Sequence, residues 1–188
     1  MASTLILLVI GLPWIGALLV WLAGDKRTNV QHGLAILFSV ASGIAAVALL
    51  FNTSNATVIN LDAGGVFGQF TFVADGLAVF LAVVATVIGS LAVIFSVDYM
   101  RGEKALGRYY AMVLFFIGGM AGLVLTSNLL LMFFFWEITA LCSYALISFH
   151  HDDPKAVAGG INALIITQLG GVGLLAGALL LFSQTGSY

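Results

Sequence analysis

The sequence predicts an all-α integral membrane protein of six transmembrane helices, with a short extracytoplasmic hairpin between the second and third. Of its 188 residues, 62% are hydrophobic and only 7% are charged, too few ionisable groups to solvate the surface of a water-soluble domain of this size. The apolar residues fall into six runs, each long enough to cross about 30 Å of hydrocarbon at roughly 1.5 Å per residue. The six Lys and Arg residues all fall in connections on one side of that six-helix count.

The first run, about 4–23, has no basic residues ahead of it and is long enough to span, so it reads as a retained helix rather than a cleaved leader. A second run, about 31–51, follows Asp25-Lys26-Arg27. The connection from Asn52 to Asp75 has three internal glycines and a loose alternation from Val66 to Val73, which predicts the surface hairpin. The third run is about 76–97 and the fourth about 109–126, separated by the charged stretch that holds Asp98, Arg101, Glu103, Lys104 and Arg108. Only Thr126-Ser127-Asn128 joins the fourth to the fifth, about 128–149, so these two are antiparallel neighbours. The sixth, about 157–182, follows His150-His151-Asp152-Asp153.

Lys26 and Arg27 lie in the first connection, Arg101, Lys104 and Arg108 in the third, and Lys155 in the fifth. By the positive-inside rule that side is cytoplasmic, which places both termini of this segment outside. Most carboxylates sort with the helix ends and loops: Asp25, Asp98, Glu103, Asp152 and Asp153 on the cytoplasmic side, Asp62 and Asp75 on the other.

Glu137 alone is deep. In the run from about 128 to 149 it sits on the order of 13 Å from either end. A charged, unpaired carboxylate at that depth costs several kcal/mol, so Glu137 is expected to be neutral or to face water or a cation. An intramembrane ionisable group is a candidate proton carrier; the structural alternative is a neutral acid that hydrogen-bonds a carbonyl on a neighbouring helix. Tyr144, seven positions on, shares its face and is either an extension of a proton path or a hydroxyl that reaches a nearby carbonyl. The sixth run carries Asn162, Thr167 and Gln168, which either hold water beside Glu137 or bridge helices. Trp136 points elsewhere and reads as packing.

Gly118 with Gly122, and Gly173 with Gly177, have the spacing that lets helices approach closely. His150-His151-Asp152-Asp153 has a metal-binding composition, but its place at a helix end reads as a solvated loop, and no metal is expected. The single cysteine, Cys142, lies inside a helix and forms no intrachain disulfide. With no Cys cluster, haem-ligand His pair or nucleotide motif, no cofactor is expected, and six cations leave no basic patch for nucleic acid.

Several separated stretches, in order, resemble one family. They are Asp75-Gly76-Leu77, Ser96-Val97-Asp98-Tyr99-Met100, Arg108-Tyr109-Tyr110, Ser127-Asn128-Leu129-Leu130-Leu131, and Trp136-Glu137 followed by Leu141-Cys142-Ser143-Tyr144-Ala145-Leu146-Ile147. Together they resemble the antiporter-like subunits shared by respiratory complex I, membrane hydrogenases and the Mrp cation/proton antiporters. The sixth run, Leu164-Ile165-Ile166-Thr167-Gln168-Leu169-Gly170-Gly171, is closer to the N-terminal part of the large Mrp A-type subunit, because it lacks the Arg and Asp usual in the complex I counterpart.

The resemblance implies that residues 1–74 form two N-terminal helices with the external loop, and that 75–188 begin the proton-translocating module. It implies that Glu137 is the membrane glutamate that works with a lysine on a seventh helix, and that the lysine comes from further residues or another chain. The implied function is a subunit of a cation (Na+)/proton antiporter in a bacterial or archaeal cell membrane, partnered by other membrane subunits and handling protons and Na+. The alternatives are a proton-pumping subunit of complex I or a hydrogenase, with no redox chemistry in this chain, and a scaffold that does not transport. A membrane hydrolase is disfavoured because Glu137 has no second acid, His or nucleophile at a suitable spacing.

Overall fold

The computed structural model describes residues 2–24, 27–52, 57–62, 64, 69–186 and 188. Among them run six helices and two strands: α1 (Ala2–Ala23), α2 (Thr28–Leu50), β1 (Thr57–Asp62), β2 (Gln69–Ala74), α3 (Gly76–Tyr99), α4 (Leu106–Leu125), α5 (Leu129–Ile147) and α6 (Pro154–Thr185). All six helices are long and apolar enough to cross a membrane, as the hydropathy pattern predicts.

Their starts follow from capping chemistry. Asp75 accepts from the Ala78 N–H at 2.8 Å, Asn128 from the Leu131 N–H at 2.8 Å, and Asp153 from the Lys155 N–H at 2.9 Å, so α3, α5 and α6 each open on a side-chain cap. α6 ends on Gly186, whose φ of 72° closes the helix in the left-handed region. α2 and α4 open without a side-chain cap: Arg27 precedes α2, and Ala105, itself left-handed (φ 59°), precedes α4.

α1 packs between α2 and α4, α3 lies against α2 and α4, and α5 lies against α4. α6 packs on α5. One core joins Ile6 and Val9 of α1, Leu49 of α2, Phe72 of β2, Val79 of α3, Leu125 of α4 and Phe135 of α5, so the segments before and after residue 75 share an interior. A second core gathers Ala17, Val93, Tyr110 and Leu114 toward the other end of the bundle. Three hydroxyls buried between helices satisfy themselves on carbonyls, as an apolar surrounding favours: Ser42 reaches Val9 O across helices at 2.7 Å, while Thr86 and Ser90 bond back to Ala82 O and Thr86 O.

β1 and β2 pair antiparallel from Thr57 opposite Ala74 to Asp62 opposite Gln69. The alternation begins at Val66, and residues 63 and 65–68 lie outside the described residues; its second half is β2. β2 is bound to the turn between α4 and α5: the Ser127 N–H donates to Thr71 O at 3.0 Å, the Asn128 side chain donates to Gln69 O at 3.1 Å, and Phe72 packs edge-on to Phe135.

The glycine pairs divide. Gly118 lies against Trp14 and the Ile10 carbonyl, and Gly122 lies against the Phe135 ring, so this pair brings α4 close to α1 and α5. Gly173 and Gly177 face open space, with nothing within 4 Å of a would-be Cβ. α6 approaches α5 through Gly160 and Gly171 instead. Eleven residues is close to three turns, which puts these two glycines on one stripe.

Candidate site at the α5–α6 contact

Glu137 is the ninth of the nineteen residues of α5, about 12 Å from one helix end and about 15 Å from the other. Its side chain turns toward α6 and its two oxygens have different surroundings. Oε2 accepts a hydrogen bond from Gln168 Nε2 at 2.6 Å. Oε1 is shielded and has no hydrogen-bond partner. It lies over Gly171, in space that the Cβ of any other residue would fill.

The flanking contacts register the two helices. Trp136 donates its indole N–H to Thr167 O at 3.4 Å, and Gly160 receives Ser148 and the Tyr144 ring. Trp136 also lines a cavity of about 400 Å³ with Leu123, Met132, Gly170 and Leu174. Its indole therefore binds as well as packs.

Of the residues the sequence groups around Glu137, the structure brings Gln168 into contact. The Thr167 hydroxyl turns back on its own helix, donating to Ala163 O and Leu164 O at 2.9 Å each, as expected of a threonine in an apolar helix. Tyr144 lies one α5 stretch away against Gly160, with no hydrogen bond to Glu137 among the described residues. Asn162 is exposed on α6.

Sequence reasoning passed over Gly171, because it lies outside any four-residue glycine spacing. The signal was its eleven-residue interval from Gly160, on the stripe that also carries Gln168. Reasoning also passed over His32, near the start of α2, whose Nδ1 lies 2.7 Å from the Tyr110 hydroxyl of α4.

At the end of the bundle that holds the cations, Arg108 donates to Phe149 O at 2.8 Å and lies 5.0 Å over the Phe149 ring, tying α4 to the end of α5. His150 and Glu103 are 4.0 Å apart there. The described residues contain no group of three or more His, Cys, Asp or Glu placed to hold a metal.

Comparison with known proteins finds that the chain is similar to subunits of membrane antiporters and respiratory complexes. Residues 61–110 match the family of the NADH-ubiquinone oxidoreductase (complex I) chain 5 N-terminus, and residues 126–188 match the NADH:quinone oxidoreductase/Mrp antiporter transmembrane family. The Na(+)/H(+) antiporter subunit A1 of Staphylococcus haemolyticus (strain JCSC1435) is 39% identical over 113 residues, covering 60% of this chain and 14% of that protein. The subunit of the same name from Staphylococcus aureus (strain bovine RF122 / ET3-1) is 38% identical over 123 residues, 65% of this chain and 15% of that one. This chain thus spans about a seventh of the length of these curated relatives. The Mrp complex from Dietzia sp. DQ12-45-1b contains a chain of the same fold, with a TM-score of 0.82 and 24% identity over 99% of this chain and 20% of that one. The membrane-bound sulfane sulfur reductase, an archaeal respiratory membrane complex, gives a TM-score of 0.82 at 19% identity, covering 97% of this chain and 38% of that one.

Proposed function

This chain belongs to the antiporter-like subunit family shared by Mrp antiporters and complex I, and on that premise we propose that it supplies a proton-translocating half-channel, centred on Glu137, to a multi-subunit Na+/proton antiporter. The observation that carries the proposal is the state of the Glu137 carboxylate. It sits midway along a membrane-spanning helix with one oxygen hydrogen-bonded and the other bare. A carboxyl group with one oxygen shielded and one hydrogen-bonded can carry a proton: protonation makes it neutral, and a nearby cation stabilises the anion. Bringing a cation close releases the proton, and withdrawing the cation favours recapture. The cation belongs to a neighbouring segment or subunit, since no Lys or Arg lies in the interior of any described helix.

In this reading the side with Arg27, Arg101, Lys104 and Arg108 faces the cytoplasm, and residues 75–188 begin the translocating module on a support formed by residues 1–74. The partners are other membrane subunits. A proton-pumping subunit of a respiratory complex is the second reading, supported by the matches of residues 61–110 and 126–188 to families described for NADH-quinone oxidoreductases. Mass spectrometry of the gently solubilised native complex separates the two, because iron–sulfur or flavin subunits accompany only the second.

The test of the antiporter reading is Glu137→Gln in the intact complex, in inverted membrane vesicles with a pH-sensitive dye, proton movement being triggered by NaCl. Glutamine keeps the volume and removes the proton-carrying group. Assembled complex without proton movement is the expected result. Wild-type movement by the variant overturns the proposal.

A further inference from the structure

We propose that Gln168 is a positioning residue that holds Glu137 in both of its protonation states, and that Gly171 provides the notch that makes this two-state hold possible. The inference rests on the reading of Glu137 as the proton carrier and names the device on α6 that serves it.

The geometry has two independent parts. First, the Gln168 amide donates to Glu137 Oε2 at 2.6 Å, a bond suited to the carboxylate anion. A carboxamide differs from the other donors used to hold an anion, Lys and Arg, because it also carries an acceptor. When Glu137 takes a proton on Oε1, that O–H can donate to the Gln168 carbonyl while the Gln168 N–H still donates to Oε2. The acid and the amide then close a ring of two parallel hydrogen bonds. Gln168 gains and loses no proton; the proton arrives from water and leaves to water, and no charge is added on α6 in either state. Lysine or arginine in this place would hold only the anion, and leucine would hold neither form.

Second, Oε1 is shielded without a partner and occupies the room left by the missing side chain of Gly171. Gly171 is three residues beyond Gln168, so both belong to the same face of α6. A β-carbon there would push the carboxyl group out of line with the amide. The neighbouring Gly170 lacks this role: a Cβ on it would meet Trp136 at 3.8 Å, an ordinary contact.

The experiment uses the intact complex in inverted vesicles. Proton movement on adding NaCl is measured from acid to alkaline pH and normalised to the amount of assembled complex on a native gel. Gln168→Met, which keeps length and removes both hydrogen bonds, is expected to lower turnover about tenfold or more. Gly171→Ala is expected to lower it similarly, and Gly170→Ala to leave it unchanged. Gln168→Glu places a second carboxyl group within hydrogen-bonding distance, so that two acids share one proton. It is expected to move the pH profile by about one unit or more toward alkaline pH.

Gln168→Met and Gly171→Ala complexes with wild-type turnover and wild-type pH profile overturn the inference. So does a Gln168→Met variant that assembles poorly but turns over normally per complex, because that is the behaviour of a purely structural contact. Glu137→Gln, run alongside, separates the two levels. If it still moves protons, the reading of Glu137 fails; if it is silent while the α6 variants are normal, only the role of Gln168 and Gly171 fails.

Discussion

Replacing Gly118 by alanine tests whether the bundle is held by the close approach of α1 and α4. The added methyl would fall against the Trp14 ring and 2.9 Å from the Ile10 carbonyl oxygen. The ring can turn away, but in doing so it gives up its hydrogen bond to Phe115 O, 3.3 Å long and worth about 1 kcal/mol. The carbonyl is backbone and cannot turn, so α1 must move off α4, an overpacking cost of about 1–3 kcal/mol. Alanine recovers up to about 1 kcal/mol through its better helix propensity. The balance is a loss of about 2 kcal/mol, or roughly 4–8 °C in thermal midpoint for a chain of this length. The assay is loss of the monodisperse gel-filtration peak after stepwise heating of the detergent-solubilised protein. Gly11→Ala is the companion variant, because nothing lies within 4 Å of a Cβ there; its midpoint is expected to hold or to rise. A Gly118→Ala protein that melts with the wild type, or a Gly11→Ala protein that falls as far, would refute the reasoning.

Three further outcomes can be checked in the same assay. Asn128→Ala removes the cap on α5 and the bond to Gln69 O, for a combined loss of about 2 kcal/mol, and is expected to make the strand segment more sensitive to added protease. Arg108→Lys keeps the charge but loses the planar group that both bonds Phe149 O and covers the Phe149 ring; a loss of about 1–2 kcal/mol is expected, with no recovery at low salt. Ala105→Gly should go the other way, relieving about 1 kcal/mol of left-handed strain at φ 59° against a smaller entropic cost in the unfolded chain, so that the midpoint rises slightly.

The helices were legible because each is an apolar run of bilayer length, and the starts of α3 and α5 were legible where Asp75 and Asn128 stand as caps, whereas α6, expected from about residue 157, opens three residues earlier at Pro154 behind Asp153. The start of α4 was less so: the run was expected from about residue 109, whereas the helix opens at Leu106 behind a left-handed alanine that no propensity rule anticipates. Glu137 stood out as a charge among apolar residues. Its contact with Gln168 did not, because periodicity gives the face a residue occupies on its own helix and not the rotation of one helix against the next. Gly160 and Gly171 lie at that contact, whereas the four-residue spacing picks out Gly173 and Gly177, where an added Cβ would meet nothing within 4 Å.

The bonds from β2 to the turn between α4 and α5 have a mechanical consequence. That turn is held by the Thr71 and Gln69 carbonyls and by Phe72 against Phe135, so α5 is clamped at the end where Glu137's helix begins. Among the described residues α6 packs on α5. The contact between α5 and α6 is centred where the Glu137 carboxylate meets the Gln168 amide, so a clamp at one end of α5 also fixes where that carboxylate stands.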